Sequence, residues 1–213
     1  MALETLADLI SWTSGPIVTV NILYGDGEKK PVFVHKSYIC EYSKYFRDSL
    51  AEAEAQEIDL EGTDPQTFNR FLSWTYHQSL PTSDPGQNQF NTHVKLWIFA
   101  DRYIVPKLQN EMMNIIIGSL NGTLERSDPE NIRASVTRQP NALLEYIYKN
   151  TTESSRLRRV LVDYLAVAYR GLNLENLPLE MIRDIFKSVQ LLPEDSGAIR
   201  RDRDYYFVNG DID

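Results

Sequence analysis

The chain has 213 residues, of which 42% are hydrophobic and 24% charged, with a net charge of −8 and a pI near 5.0. That length and composition support one sizeable core, or one core with a satellite, and exclude disorder along the whole chain. The acidic balance argues against direct nucleic-acid binding, whose affinity comes from clustered Lys and Arg.

A single cysteine, Cys40, cannot form an internal disulfide, which fits a reducing compartment. The opening MALETLADLISW carries acids and lacks the basic start and apolar run of a signal peptide. No apolar stretch approaches the roughly 18–20 residues that a membrane helix needs. A cytoplasmic or nuclear protein is expected, and in such a chain the sequons at Asn121 and Asn150 read as chance.

Residues 3–12 place Leu3, Leu6, Ala7 and Ile10 at helical spacing, and Ser14-Gly15-Pro16 ends that short amphipathic helix. The β-branched run IVTVNILY predicts a strand from Ile17 to Tyr24, Gly25-Asp26-Gly27 a turn, and Pro31 to Val34 the returning strand. The glycine triplet lacks the Lys-Ser/Thr of a phosphate loop. After His35 the pattern turns helical, with Tyr38, Ile39, Tyr42, Tyr45 and Phe46 near one face.

A short strand follows at Ile58 to Leu60. Asp64-Pro65 then supplies a cap and a first-turn proline for a helix to about Tyr76, with Phe68, Phe71, Leu72 and Thr75 inward. Residues 77–91 read as a loop. Thr92 caps a helix through Tyr103, and Val105-Pro106 starts another that Asn121-Gly122 stops. Beyond that the pattern is helical, with starts at Asp128-Pro129, Asn141, Ser154 or Ser155, and Pro178. The last helix carries Met181, Ile182, Ile185, Phe186 and Val189, and from Pro193 a charged tail reads as mobile.

Chemistry-bearing patterns are sparse. His35, His77 and His93 have no partner at metal-ligand spacing, and CxxC, HExxH, GxSxG and GxGxxG are all missing. His35 and Cys40 would lie about 500° apart around a helix, so they point in different directions. A lone buried cysteine behaves mostly as a small hydrophobe. Glu52, Glu54 and Glu57 read as a solvated face. Arg156, Arg158 and Arg159, with Arg170, form a basic patch that is either a solvated helix face or a surface for an acidic or phosphate partner. No catalytic, metal or cofactor residue is expected, and no small-molecule substrate.

VFVHKSYICEYSKYFRDSL resembles the signature of BTB/POZ domains, carried here by Phe33, His35, Lys36, Ile39, Cys40, Ser43, Tyr45, Phe46 and Arg47. Two more blocks resemble the same family in order: IDLEGTDPQTFNRFLSWTYHQSL and LWIFADRYIVPKLQNEMM. YIYKNTTESSRLRRVLVDYLA and GPIVTV are similar to segments of filamentous-fungal BTB proteins. The resemblance implies an α+β fold: a BTB/POZ domain, with a small β-sheet flanked by α-helices, then an all-α C-terminal extension. The implied division is 1–122 for the BTB/POZ domain with its N-terminal helix, 123–192 for the helical extension and 193–213 for the tail.

By the same resemblance, His35 anchors the strand-to-helix turn and Cys40 packs in the core. A non-enzymatic interaction module is implied, acting as a scaffold or regulatory subunit with protein partners. It would homodimerise through Leu3, Leu6, Ile10, Trp12 and Ile17, although Gly15-Pro16 stands where family dimers often carry an acid. Tyr76, Leu80, Arg156 and Arg159 are the candidate partner-binding residues. The alternative is a cullin-type ubiquitin-ligase adaptor, but residues 77–91 hold no glutamate for the family's apolar-x-Glu motif.

Overall fold

The computed structural model describes residues 15–25, 27–51, 56–80, 89–124, 141–167, 177–190 and 203–208. The expected helix over 3–12, with Leu3, Leu6, Ile10 and Trp12, lies outside them, as do Asp128-Pro129 and Arg170.

Strand β1, Ile17–Tyr24, is the centre of a three-stranded sheet of order β2-β1-β3. It pairs antiparallel with β2, Glu28–His35, from Ile17↔His35 to Tyr24↔Glu28. The three-residue turn between them holds Gly25 and Gly27 at φ 58° and 96°, where a side chain would be strained. On its other edge β1 pairs parallel with β3, Glu57–Glu61, from Thr19↔Glu57 to Leu23↔Glu61. Alternation puts Val18, Val20 and Ile22 on the buried face, and both outer strands run longer than the apolar residues alone predict.

The helical stretch after His35 is two helices, α1 at Lys36–Tyr42 and α2 at Lys44–Ser49. Ser43 breaks it. Its backbone is extended, its Oγ accepts the Phe46 N–H at 3.1 Å, and it donates to the Tyr103 carbonyl at 2.5 Å. The break resets the helical phase, so Ile39 and Phe46 are fully buried while Tyr38, Tyr42 and Tyr45 are half-buried.

Helix α3, Pro65–His77, starts as its sequence predicts: the Asp64 carboxylate accepts from the Thr67 N–H at 2.9 Å and from its hydroxyl at 2.6 Å. Its buried stripe is Phe68, Phe71, Trp74 and Thr75, and Leu72 is only half-buried. It ends at Gln78, in the left-handed region at φ 51°. Helix α4, Gln89–Arg102, begins three residues before the expected cap Thr92.

Helix α5, Pro106–Leu124, runs through the expected stop at Asn121-Gly122. A glycine costs about 1 kcal/mol in a helix, too little to end one whose preceding turn buries Ile116, Ile117 and Leu120. Helices α6, Asn141–Asn150, α7, Arg156–Val167, and α8, Leu179–Gln190, follow. In α8 the buried stripe is Met181, Ile185 and Ser188, and Phe186 is exposed.

Within the tail expected to be mobile, Arg203–Tyr206 form a short 3-10 helix and Tyr206 is buried.

The chain packs as two compact units. The first holds the sheet, α1 to α3 and Phe99–Leu108; the second holds the rest of α4 and α5, α6 to α8 and residues 203–208. The packing division thus falls within α4 and α5, whereas the division read from the sequence falls at residue 122. The centre of the first unit is aromatic: Phe46 stacks on Phe71 and Tyr103 with centroids 5.9 and 5.7 Å apart, and Phe99 lies 4.8 Å from Phe71 and 4.6 Å from Tyr103.

Candidate interaction site

The outer face of the sheet is set by register. Thr19 pairs with Phe33, and Ile17, two residues before Thr19, shares its face. Ile17 is 57% exposed and Phe33 72%. Two large apolar side chains thus stand in solvent on the face turned away from the core, beginning five residues after Trp12 in the sequence. Ile17 is among the residues expected at a dimer contact. Phe33 is not among them, although the period of two that sends Val34 inward sends Phe33 outward.

Further along, the same face is charged. Lys29 Nζ lies 2.9 Å from Glu57 and 3.2 Å from Asp59. Buried Asn21 donates to Asp59 at 2.8 Å and also to Glu57. Hydrogen bonds from Lys29 and then Asn21 hold the Glu57 carboxyl below its usual range. The bonds from Asn21 and then Lys29 do the same for Asp59. Glu57 is thus one member of an ion cluster across the sheet rather than of a run with Glu52 and Glu54, which lie outside the described residues.

His35 closes β2 and precedes α1. Its backbone N–H donates to Tyr76 Oη at 3.2 Å, and its Nδ1 lies 3.0 Å from the same oxygen. One phenol oxygen thus meets both the backbone and the ring of His35. The Tyr76 ring packs on Tyr38 at 4.3 Å. Tyr76 therefore ties α3 to the start of α1, and it is half-buried, as is Leu80. Gln78, beyond Tyr76, accepts Lys107 Nζ at 2.7 Å, and that ammonium also faces the Tyr42 and Trp74 rings at 5.3 and 5.8 Å.

Cys40 is half-buried rather than packed in the core. Burial raises its thiol pKa against the pull of Lys36 and Arg47, the reverse of what a nucleophilic thiolate needs. Among the described residues no group of three or more His, Cys, Asp or Glu could hold a metal ion, and no helix is long and apolar enough to cross a membrane.

In the second unit the expected basic patch divides. Arg158 is 5% exposed. Its guanidinium donates to the Tyr148 and Thr151 carbonyls at 2.5 Å each, to Thr151 Oγ1 at 2.9 Å and to Glu180 at 3.0 Å. It satisfies the carbonyl end of α6, where a cation is favoured, and stacks 4.2 Å from the Tyr148 ring. Burial and Asp184 push the Tyr148 hydroxyl pKa upward. Arg156 and Arg159 instead reach Tyr205: Arg156 Nη1 donates to its carbonyl at 3.1 Å, and the Arg159 guanidinium lies 4.9 Å from its ring centroid.

A BTB/POZ domain family model matches residues 11–120. Among solved structures, the chain is similar to the BTB (Tramtrack and Bric a brac) domain of human gigaxonin, at 18% identity and a TM-score of 0.39, over 54% of this chain and 96% of that one. No curated protein matches the sequence. The small three-stranded sheet, its helices and a family match over more than half of the chain define a class, the protein-interaction modules, which are generally non-enzymatic. This chain belongs to the BTB/POZ domain family.

Proposed function

We propose that the chain is a non-enzymatic scaffold or regulatory subunit that pairs with a second copy of itself through the outer face of the sheet and the segment before it. The observation that carries this reading is the exposure of Ile17 on β1 and Phe33 on β2, diagonal neighbours on one face of the sheet. Leaving two such side chains in water forgoes about 1.5–3 kcal/mol each, which an apolar contact would recover. The stripe of Leu3, Leu6 and Ile10 supports the same contact, because a helix that short gains its stability from what it packs on.

The cullin-type adaptor reading has weaker support, since residues 77–91 carry no glutamate. One experiment separates the two. A tagged full chain is co-expressed with an untagged copy and purified from its own cells, and the co-purifying proteins are identified. Stoichiometric recovery of the untagged copy, lost in Phe33→Asp, supports the pairing. Recovery of a cullin with a RING protein supports the adaptor. Recovery of neither overturns both.

A further inference from the structure

The arginines of α7 hold a short stretch of the chain's own sequence. Tyr205 is gripped at its carbonyl by Arg156 and at its ring by Arg159. Tyr206 is 5% exposed and donates its hydroxyl to Asp163 Oδ2 at 2.8 Å. Asp163, 4% exposed, receives the Ser188 hydroxyl on its other oxygen at 3.0 Å. Asn110 pairs both ways with the backbone of Val208: its Nδ2 donates to the carbonyl and its Oδ1 accepts the N–H, each at 2.8 Å.

These contacts have the chemistry of short-peptide recognition. A side-chain amide that bonds both backbone groups of one residue reads main chain, whatever the side chain. A buried carboxylate facing a phenol discriminates Tyr from Phe, because Phe would leave the carboxylate one bond short. The guanidinium over the neighbouring ring adds a preference for a second aromatic residue. Beside Tyr205 opens a cleft of about 340 Å³ lined by Arg159, Asp163, Asp184, Lys187 and Ser188, so the segment sits at the rim of a wider recess.

We propose that α5, α7 and α8 form a peptide-docking groove, that Tyr205–Val208 is its resident ligand in cis, and that a partner's Tyr-Tyr-apolar-Val segment exchanges with it. Carried on the same chain, the resident segment acts at an effective concentration on the order of millimolar, so a partner segment binds weakly until the resident one leaves. The groove uses no residue of the sheet face proposed for pairing.

The test uses the full chain and a fluorescein-labelled peptide, Arg-Asp-Tyr-Tyr-Phe-Val-Asn, copied from residues 203–209. Fluorescence anisotropy is read for the wild type and for Tyr205→Ala/Tyr206→Ala, which empties the groove. The emptied chain is expected to bind the peptide about 100-fold more tightly than the wild type. Adding Asn110→Ala, or replacing the second peptide tyrosine by Phe, should each weaken binding about tenfold. An emptied chain that keeps its circular dichroism and melting transition yet does not bind, or binds without regard to Asn110 and the phenol, overturns the proposal.

If the double variant does not fold, a protease site placed between Gln190 and Arg203 is cut after folding. Retention of the released segment, and its displacement by unlabelled peptide, supports a groove with an exchangeable ligand; loss of the fold on cutting overturns it. A concentration-dependent dimer that Tyr205→Ala/Tyr206→Ala abolishes and Phe33→Asp does not would show the segment passing to a second copy, and would overturn the cis assignment.

Discussion

His35 and Tyr76 are joined twice through one oxygen: the histidine backbone N–H and its Nδ1 both meet the Tyr76 hydroxyl, at 3.2 and 3.0 Å. The histidine five residues before the lone cysteine therefore spends a ring nitrogen on holding α3 against the start of α1. Tyr76→Phe keeps the ring on Tyr38 and removes both bonds. Urea unfolding should show a loss of about 1–2 kcal/mol. An unchanged midpoint would mean that water replaces the phenol without cost and that the joint is not structural.

Phe46 is fully buried among Phe71, Tyr103 and Tyr45. Phe46→Ala should destabilise by about 3–5 kcal/mol, as buried Phe truncations do. Equilibrium denaturation reads this directly, and a wild-type midpoint would place Phe46 outside the core.

Cys40 should be a poor nucleophile. With its thiol pKa raised by burial, little thiolate exists at neutral pH, and the half-buried sulfur is partly screened from reagent. Reaction of the native chain with a disulfide reagent at about pH 7 should be about tenfold slower or more than for the urea-unfolded chain. Equal rates would contradict this environment.

The Lys29, Glu57 and Asp59 cluster predicts an acid limb of known sign. Both carboxyls titrate lower folded than their ordinary values of 4.5 and 3.8. A carboxyl with a depressed folded pKa contributes stability above its unfolded value and loses it as pH falls through the folded one. Stability should therefore fall with decreasing pH from about 4.5 downward. Lys29→Met should flatten that fall, and because the cluster is solvent-exposed, added salt should flatten it too. A Lys29→Met chain with an unchanged acid limb would show that the pairs contribute nothing.

What was legible in the sequence was local. The β-branched run of β1 and the Asp64-Pro65 start of α3 depend on neighbours within a few residues, and both stand where expected. What escaped depends on distant partners. Ser43 splits α1 from α2 by bonding a carbonyl 60 residues away. Arg158 looks like its neighbours Arg156 and Arg159, but the end of α6 and Glu180 bury it. Tyr206 sits in a charged stretch that reads as solvated, and only the carboxylate of Asp163, 43 residues earlier, shows why it is buried. The blocks from VFVHKSYICEYSKYFRDSL to LWIFADRYIVPKLQNEMM lie within the residues 11–120 that the BTB/POZ family model matches, whereas YIYKNTTESSRLRRVLVDYLA lies beyond them.

The measurement that bears most directly on the interaction reading is the mass of the full chain by sedimentation equilibrium, beside that of Ile17→Asp/Phe33→Asp. The wild type should sediment at twice the 24.6 kDa of one chain, and the double variant, folded by circular dichroism, at that single mass. A wild type that stays at the single mass through the micromolar range, or a double variant that keeps the wild-type mass, would contradict pairing through the sheet face.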